Sequence, residues 1–240
     1  FNQETPAPRR LQMIADVVKS WIRDRANPEP NKKAYERYRH GLSNLRFSAP
    51  TLLRETDLLC RRLQMEPPLA PFRDYVAALF AEHADQEGKP FWLAKVPRFV
   101  LITPLLKQAF PAMRFIHCVR DPRATIASMA SRAWAPKALD EQIDYWRDSV
   151  QKGSQFIERF PKDGIEVRYE ELRDDPIATL SRLFHWLSIV DEAASILPAY
   201  ERDFPIARDS SGPGSALPAS SRQQIERQLG PLMSRYGYES

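Results

Sequence analysis

The run Phe115-Ile116-His117-Cys118-Val119, followed at once by Arg120-Asp121-Pro122-Arg123, constrains this chain more than any other stretch. Five mostly apolar residues are too few for a buried helix and suit a short strand inside a covered sheet. Pro122 then predicts the start of a helix, since proline there forfeits only an amide that has no helical partner, and Asp121 is a ready cap in front of it. The predicted unit is strand, turn and helix, with Arg120 at the carboxyl end of the strand. Open parallel sheets bind their ligands at that edge.

The rest of the chain repeats this rhythm. Apolar runs at Phe91 to Ala94, ending at Lys95, and at Ile165 to Arg168 read as further strands, with helical patterns between them. Leu101 to Phe110 reads as helix. Leu139 to Phe160 is a long amphipathic helix with Ile143, Trp146 and Val150 inward, and Asp175-Pro176 opens another that runs to Leu187. A closing helix carries Ile225, Leu229, Leu232 and Met233. Before Lys95 the pattern is helical throughout: Arg9 to Arg25, Asn31 to Leu45, a helix from Pro50 with Leu52, Leu53, Leu58 and Leu59, and one from Phe72 to about Gln86 that stops at Gly88. In that last helix Phe72, Val76, Leu79 and Phe80 form a core stripe. Strands alternating with helices predict an α/β fold, a parallel sheet flanked by helices, with a helical insertion from Ala26 to Gly88. The 240 residues suit a single domain, and Arg208 to Pro218, rich in Ser, Pro and Gly, reads as a flexible loop.

Charge and cysteine content narrow the function classes. Lys and Arg outnumber Asp and Glu by only 35 to 31, interleaved along the chain, which argues against nucleic acid yet suits an anionic ligand. No window approaches the roughly 20 apolar residues of a spanning helix. Cys60 and Cys118 form neither a disulfide framework nor a metal-ligand pattern, so a reducing, cytoplasmic setting is expected, with Cys118 a small buried hydrophobe. His117, inside the apolar run, reads as a satisfied core histidine. Prolines number 21 against 8 glycines, few for a fold whose phosphate loop normally needs glycine.

Local chemistry leaves two readings of Arg120. Its planar guanidinium matches two phosphate oxygens, and the helix start beyond it adds free amides and a favourable dipole end. Ser128 lies two turns into that helix and Arg132 a turn further, so the three are candidates to converge on one anion. Alternatively Arg120 pairs with a nearby carboxylate and Ser128 is merely a small helix residue.

The stretch from Arg114 to Arg132 resembles, in spacing and residue type, the 3′-phosphate-binding segment of sulfotransferases that use 3′-phosphoadenosine-5′-phosphosulfate. Lys95-Val96-Pro97, Trp146, Val167-Arg168-Tyr169-Glu170-Glu171-Leu172, the helix after Asp175-Pro176 and the terminal Leu232 to Tyr238 are similar to that family too, nearest to the protein-tyrosine type and its bacterial relatives. The resemblance implies a P-loop-type sheet. It implies that Arg120 and Ser128 hold the 3′-phosphate with Arg132 nearby, that Tyr169 touches the nucleotide, and that Lys95 stands beside the bridging oxygen of the leaving phosphate. Gln3-Glu4-Thr5 with Arg10 resembles the glutamate-bearing segment of the protein-tyrosine type, which makes Glu4 the expected base and places Arg10 with the cofactor-binding residues. No metal is expected, since the growing charge can be met by Lys95 and backbone amides. The glycine-bearing phosphate loop of the family is expected upstream of Phe1. The acceptor stays open among a small alcohol or phenol, a carbohydrate and a tyrosyl peptide, as does the oligomeric state. An inactive nucleotide-binding protein of the same fold and a nucleotide or small-molecule kinase are the rival readings.

Overall fold

Ser48 opens the first helix of the described chain: its Oγ accepts from the Thr51 amide at 3.1 Å, and proline stands in the first turn. The computed structural model describes residues 48–130, 132, 135–190, 192–203 and 217–238. Glu4, Arg10, the two predicted helices before residue 46 and most of the Arg208 to Pro218 loop lie outside these residues. The chain divides into two compact units, one ending at Lys95 and one starting at Val96.

In the first unit, α1 (Ala49–Arg62) packs on α2 (Leu69–Gln86). Leu52 and Leu59, seven residues apart and so on one helical stripe, are buried, as is Leu79 of α2. Leu53 and Leu58, off that stripe, are exposed. Polar ties line the seam: Thr51 Oγ1 donates to Glu82 at 3.0 Å, and Arg62 reaches Asp74 at 2.7 Å. Gly88 ends α2 as expected. Its φ of +62° lets its amide reach the Asp85 carbonyl and the next amide reach Ala84, a Schellman closure that a side chain would strain.

Phe91 to Ala94 departs from expectation. It forms no strand, and Phe91 and Leu93 are 51% and 69% exposed. A strand exists only where a neighbour meets its amides and carbonyls, and no described residue does so here. Trp92 instead stacks on Phe80 of α2, ring centroids 4.4 Å apart.

The second unit begins with a 3₁₀ turn (Pro97–Ile102) and α3 (Thr103–Ala109), then β1 (Phe115–Val119), α4 (Pro122–Ala130), α5 (Leu139–Arg159) and β2 (Gly164–Arg168). After β2 come α6 (Tyr169–Asp174), α7 (Pro176–Leu187), α8 (Ala193–Asp203) and α9 (Ala219–Arg235). β1 and β2 pair in parallel, in register from Phe115 opposite Gly164 to Val119 opposite Arg168. α5 crosses over between them and packs on the sheet. Asp175 caps α7, accepting from the Ala178 amide at 3.0 Å. The core joins Val119 and Ile126 to the α5 stripe Ile143, Trp146 and Val150 and the α9 stripe Ile225, Leu229 and Met233.

Cys118 is exposed, against expectation. Side chains alternate along a strand, so with His117 and Val119 turned inward Cys118 faces away from this core. Its apolar neighbours in sequence therefore do not cover it.

His117 is the satisfied core histidine. Its Nδ1 lies 3.1 Å from Glu166 Oε2, across the register on β2. Tyr236 donates to the same oxygen at 2.9 Å, and its hydroxyl also meets Ser154 of α5 at 2.9 Å. Burial alone would raise the Glu166 carboxyl, but the bonds from His117 and Tyr236 outweigh it and hold the group below its ordinary value. The imidazole fits because α5 carries Gly153 above it: a Cβ there would stand 2.3 Å from the ring.

Two stability outcomes follow from this contact. Gly153→Ala gains up to about 1 kcal/mol of helix propensity. It also drives a methyl into the His117 ring, an overpacking that costs about 1 to 3 kcal/mol. The expected result is a lower denaturant midpoint, and an unchanged or raised midpoint would refute the contact. Because the folded Glu166 carboxyl is lowered, its contribution is present above the unfolded value of about 4.3 and lost as pH falls through the folded value. Unfolding free energy measured from pH 7 to pH 3 is therefore expected to separate the parent chain from Glu166→Gln at neutral pH and to bring the two together in acid.

Candidate functional site

Val119 and Arg168 end the two strands in register, so the next residues, Arg120 and Tyr169, are set side by side at the carboxyl edge of the sheet. The Arg120 guanidinium lies over the Tyr169 ring, 4.4 Å from its centroid. A cation over an aromatic face is attracted by the ring quadrupole, and the planar guanidinium keeps its in-plane donors free to meet an oxyanion. Arg120 is half-buried, and among the described residues no carboxylate pairs with its guanidinium.

The neighbouring arginine has the opposite fate. Arg123 is 9% exposed and holds Asp121 at 2.8 Å, Glu226 of α9 at 3.0 Å and the Tyr238 carbonyl at 3.1 Å. The hydrogen bond to Asp121 and its charge raise the Arg123 pKa despite burial. Asp121 also accepts from the Arg123 amide at 2.7 Å, which is the predicted cap of α4. The carboxylate pairing weighed for Arg120 thus falls to Arg123, and Asp121 is consumed by it.

The backbone beneath Arg120 is pinned from two sides. The Trp146 indole donates to the Arg120 carbonyl at 3.0 Å. Glu170 Oε1 accepts from the Asp121 amide at 3.1 Å, and its other oxygen accepts from the Tyr238 hydroxyl at 2.8 Å. Burial, with the Glu170 bond added, pushes the Tyr238 phenol well above its ordinary value, so it remains a donor. Trp146 was legible as a core residue, but its second role needs the strand end to which its N–H points. Glu170 and Tyr238 carried no signal of this kind beyond lying in segments that resemble the family. Arg168 lies over the Tyr238 ring, 4.9 Å from the centroid.

Of the other expected site residues, Ser128 is exposed on α4 and Arg132 is exposed just beyond it, its carbonyl accepting from Lys137 at 2.9 Å. Lys95 is exposed at the end of the first unit. A cleft of about 420 Å³ between α6 and α7 is lined by Glu170, Glu171, Asp174 and Asp175 together with Arg168 and Arg182. Four carboxylates against two guanidiniums repel a phosphate, and the cleft includes neither Arg120 nor Tyr169. The guanidinium without a carboxylate partner among the described residues is at the Arg120 edge.

The omega-hydroxy-beta-dihydromenaquinone-9 sulfotransferases of Mycobacterium bovis and Mycobacterium tuberculosis are each 25% identical over 163 residues, 61% of this chain and 41% of theirs. A candidate protein-tyrosine sulfotransferase of Caenorhabditis briggsae is 30% identical over 126 residues, 49% of this chain and 45% of its own. The matched stretch therefore spans less than half the length of these curated relatives. Among solved structures, the sulfotransferase domain from the curacin biosynthetic pathway aligns with a TM-score of 0.46 and 18% identity, over 80% of this chain and 83% of that one. The model of the sulfotransferase family matches residues 3–192. With most of its length matched, this chain belongs to the sulfotransferase family.

Proposed function

We propose that the protein transfers a sulfuryl group from 3′-phosphoadenosine-5′-phosphosulfate to an acceptor hydroxyl, and that Arg120 binds the 3′-phosphate of the donor. The observation that carries this reading is the Arg120 guanidinium at the carboxyl edge of the sheet, stacked on Tyr169 and without a carboxylate among the described residues. Arg120 supplies the fork, Tyr169 orients it and meets the nucleotide, and Ser128 and Arg132 complete the anion contacts. Arg10 is assigned to the same donor contacts.

In the reaction the acceptor oxygen bonds to sulfur as the bond from sulfur to the bridging phosphate oxygen breaks. Glu4 takes the acceptor proton, and Lys95 meets the negative charge that grows on the departing oxygen, an interaction stronger in the transition state than before it. The two groups face each other across sulfur, because in-line displacement makes entering and leaving oxygens nearly collinear. No metal is assigned a role. Two of the relatives are named for a hydroxylated menaquinone and for protein tyrosine. A hydroxyl-bearing acceptor is therefore proposed here, and both units are assigned to one sulfotransferase domain with residues 26–88 as its insertion. No helix among the described residues is long and apolar enough to cross a membrane.

Calorimetric titration with adenosine 3′,5′-bisphosphate tests the donor site. Arg120→Ala is expected to weaken this nucleotide by about 2 kcal/mol or more, within the roughly 2 to 5 kcal/mol for truncating one partner of a charge-assisted pair, and to leave adenosine 5′-phosphate nearly unchanged. Equal losses for the two nucleotides would remove the 3′-phosphate assignment. Binding without any turnover would favour the inactive nucleotide-binding reading.

Acceptor series test the chemistry. Glu4→Gln is expected to lower turnover by about 10² to 10⁴ for a high-pKa alcohol and by less for an acidic phenol that ionises unaided. Lys95→Ala is expected to slow all acceptors alike, since they share one leaving group. Full activity of Glu4→Gln toward the alcohol would exclude that glutamate as the base.

A further inference from the structure

Four residues beneath the Arg120 turn close a circuit of hydrogen bonds. The Asp121 amide donates to Glu170, the Tyr238 hydroxyl donates to the other Glu170 oxygen, the Tyr238 carbonyl accepts from Arg123, and Arg123 returns to the Asp121 carboxylate. The distances are 3.1, 2.8, 3.1 and 2.8 Å in that order. Asp121 is 2% and Tyr238 4% exposed, so the bonds form where competition from water is weakest.

The circuit touches both halves of the anion-facing pair. Asp121 follows Arg120 directly, and Glu170 follows Tyr169 directly. One carboxylate thereby ties the peptide that carries the guanidinium to the peptide that carries the ring on which it rests. Tyr238 lies beyond α9, more than a hundred residues from Asp121, and contributes through both its hydroxyl and its carbonyl.

We propose that Tyr238 is a positioning residue for the donor's 3′-phosphate: through Glu170 and Arg123 it fixes the turn that aims Arg120 over Tyr169, without itself touching the ligand. This rests on the assignment of Arg120 to the 3′-phosphate. Removing the hydroxyl leaves the ring in place against Tyr236 and Arg168 but leaves Glu170 with one donor fewer. The Arg120 turn then samples more geometries, and the cost falls only on a ligand group that needs the guanidinium in one place.

The test is a double-mutant cycle on the full chain, with Tyr238→Phe, Arg120→Ala and the two combined. Adenosine 3′,5′-bisphosphate and adenosine 5′-phosphate are titrated calorimetrically, and exchange of the Asp121 amide is followed by NMR or mass spectrometry. Tyr238→Phe is expected to weaken the bisphosphate about fivefold to tenfold, the scale of one net hydrogen bond, and the monophosphate less than twofold. In the Arg120→Ala background the same change is expected to cost less than twofold, since neighbours that act through one another are not additive. The Asp121 amide is expected to exchange faster in Tyr238→Phe even without nucleotide.

General loosening of the fold would weaken both nucleotides equally and persist without Arg120, and that pattern overturns the proposal. So does an unchanged bisphosphate affinity in Tyr238→Phe. The ligand-free exchange separates the two levels of the inference. Faster exchange with Arg120→Ala indifferent to the bisphosphate refutes the phosphate assignment while leaving the circuit intact, whereas unchanged exchange in a variant that still binds through Arg120 refutes the circuit alone.

Discussion

A guanidinium removed from water needs its charge met, because a buried ion left alone costs several kcal/mol. Among the described residues Arg123 imposes that demand, and Asp121, Glu226 and the Tyr238 carbonyl together answer it. The arrangement brings α9 and the following residues onto the start of α4 and fixes the turn after β1. It also uses up the carboxylate that follows Arg120 in the sequence. The second arginine of the motif is thereby neutralised internally, while the first lies over Tyr169 with no carboxylate partner among the described residues.

That cation lies where it does because of register. In a parallel pair the strand ends share an edge, so a one-residue slip would move Tyr169 off Arg120 and would also turn Glu166 away from His117. Gly153 supports the same register from α5, since only its missing side chain leaves room for the imidazole that meets Glu166. The sheet's interior network and its Arg120 edge are consequences of one alignment. Trp146 links them, packed with Val119 in the core while donating to the Arg120 carbonyl.

Local signals made much of this legible. Asp175-Pro176, Gly88 and the runs Phe115 to Val119 and Ile165 to Arg168 are read correctly because caps, left-handed stops and strand lengths are settled by residues within a few positions of each other. The stripes of α5 and α9 are visible for the same reason. Phe91 to Ala94 failed because a strand is defined by a partner that composition does not name. Cys118 failed because alternation tells which residues share a face, not which face is covered. Local chemistry offered the carboxylate to Arg120, yet Arg123 receives it. The decision is made by Glu226 and Tyr238, 103 and 115 residues from Arg123, and no window of the sequence contains them together.

The proposed donor contact is remote from the sulfur at which bonds change, and its value to catalysis comes from that remoteness. Interactions with an unreacting phosphate are equally strong in the ground and transition states, so on their own they tighten binding without speeding the chemical step. They accelerate reaction only by holding the sulfuryl group in line with the incoming acceptor, and displacement by about 1 Å is enough to cost roughly a hundredfold. A flexible arginine on a mobile loop would bind the phosphate and fail at this. Arg120 has instead a ring beneath it, an indole on its carbonyl and a carboxylate on the next amide. Two of these three restraints come from the Tyr169-Glu170 dipeptide and the third from α5, so precision at the donor end is built from the same pair of strands and crossover helix that form the core.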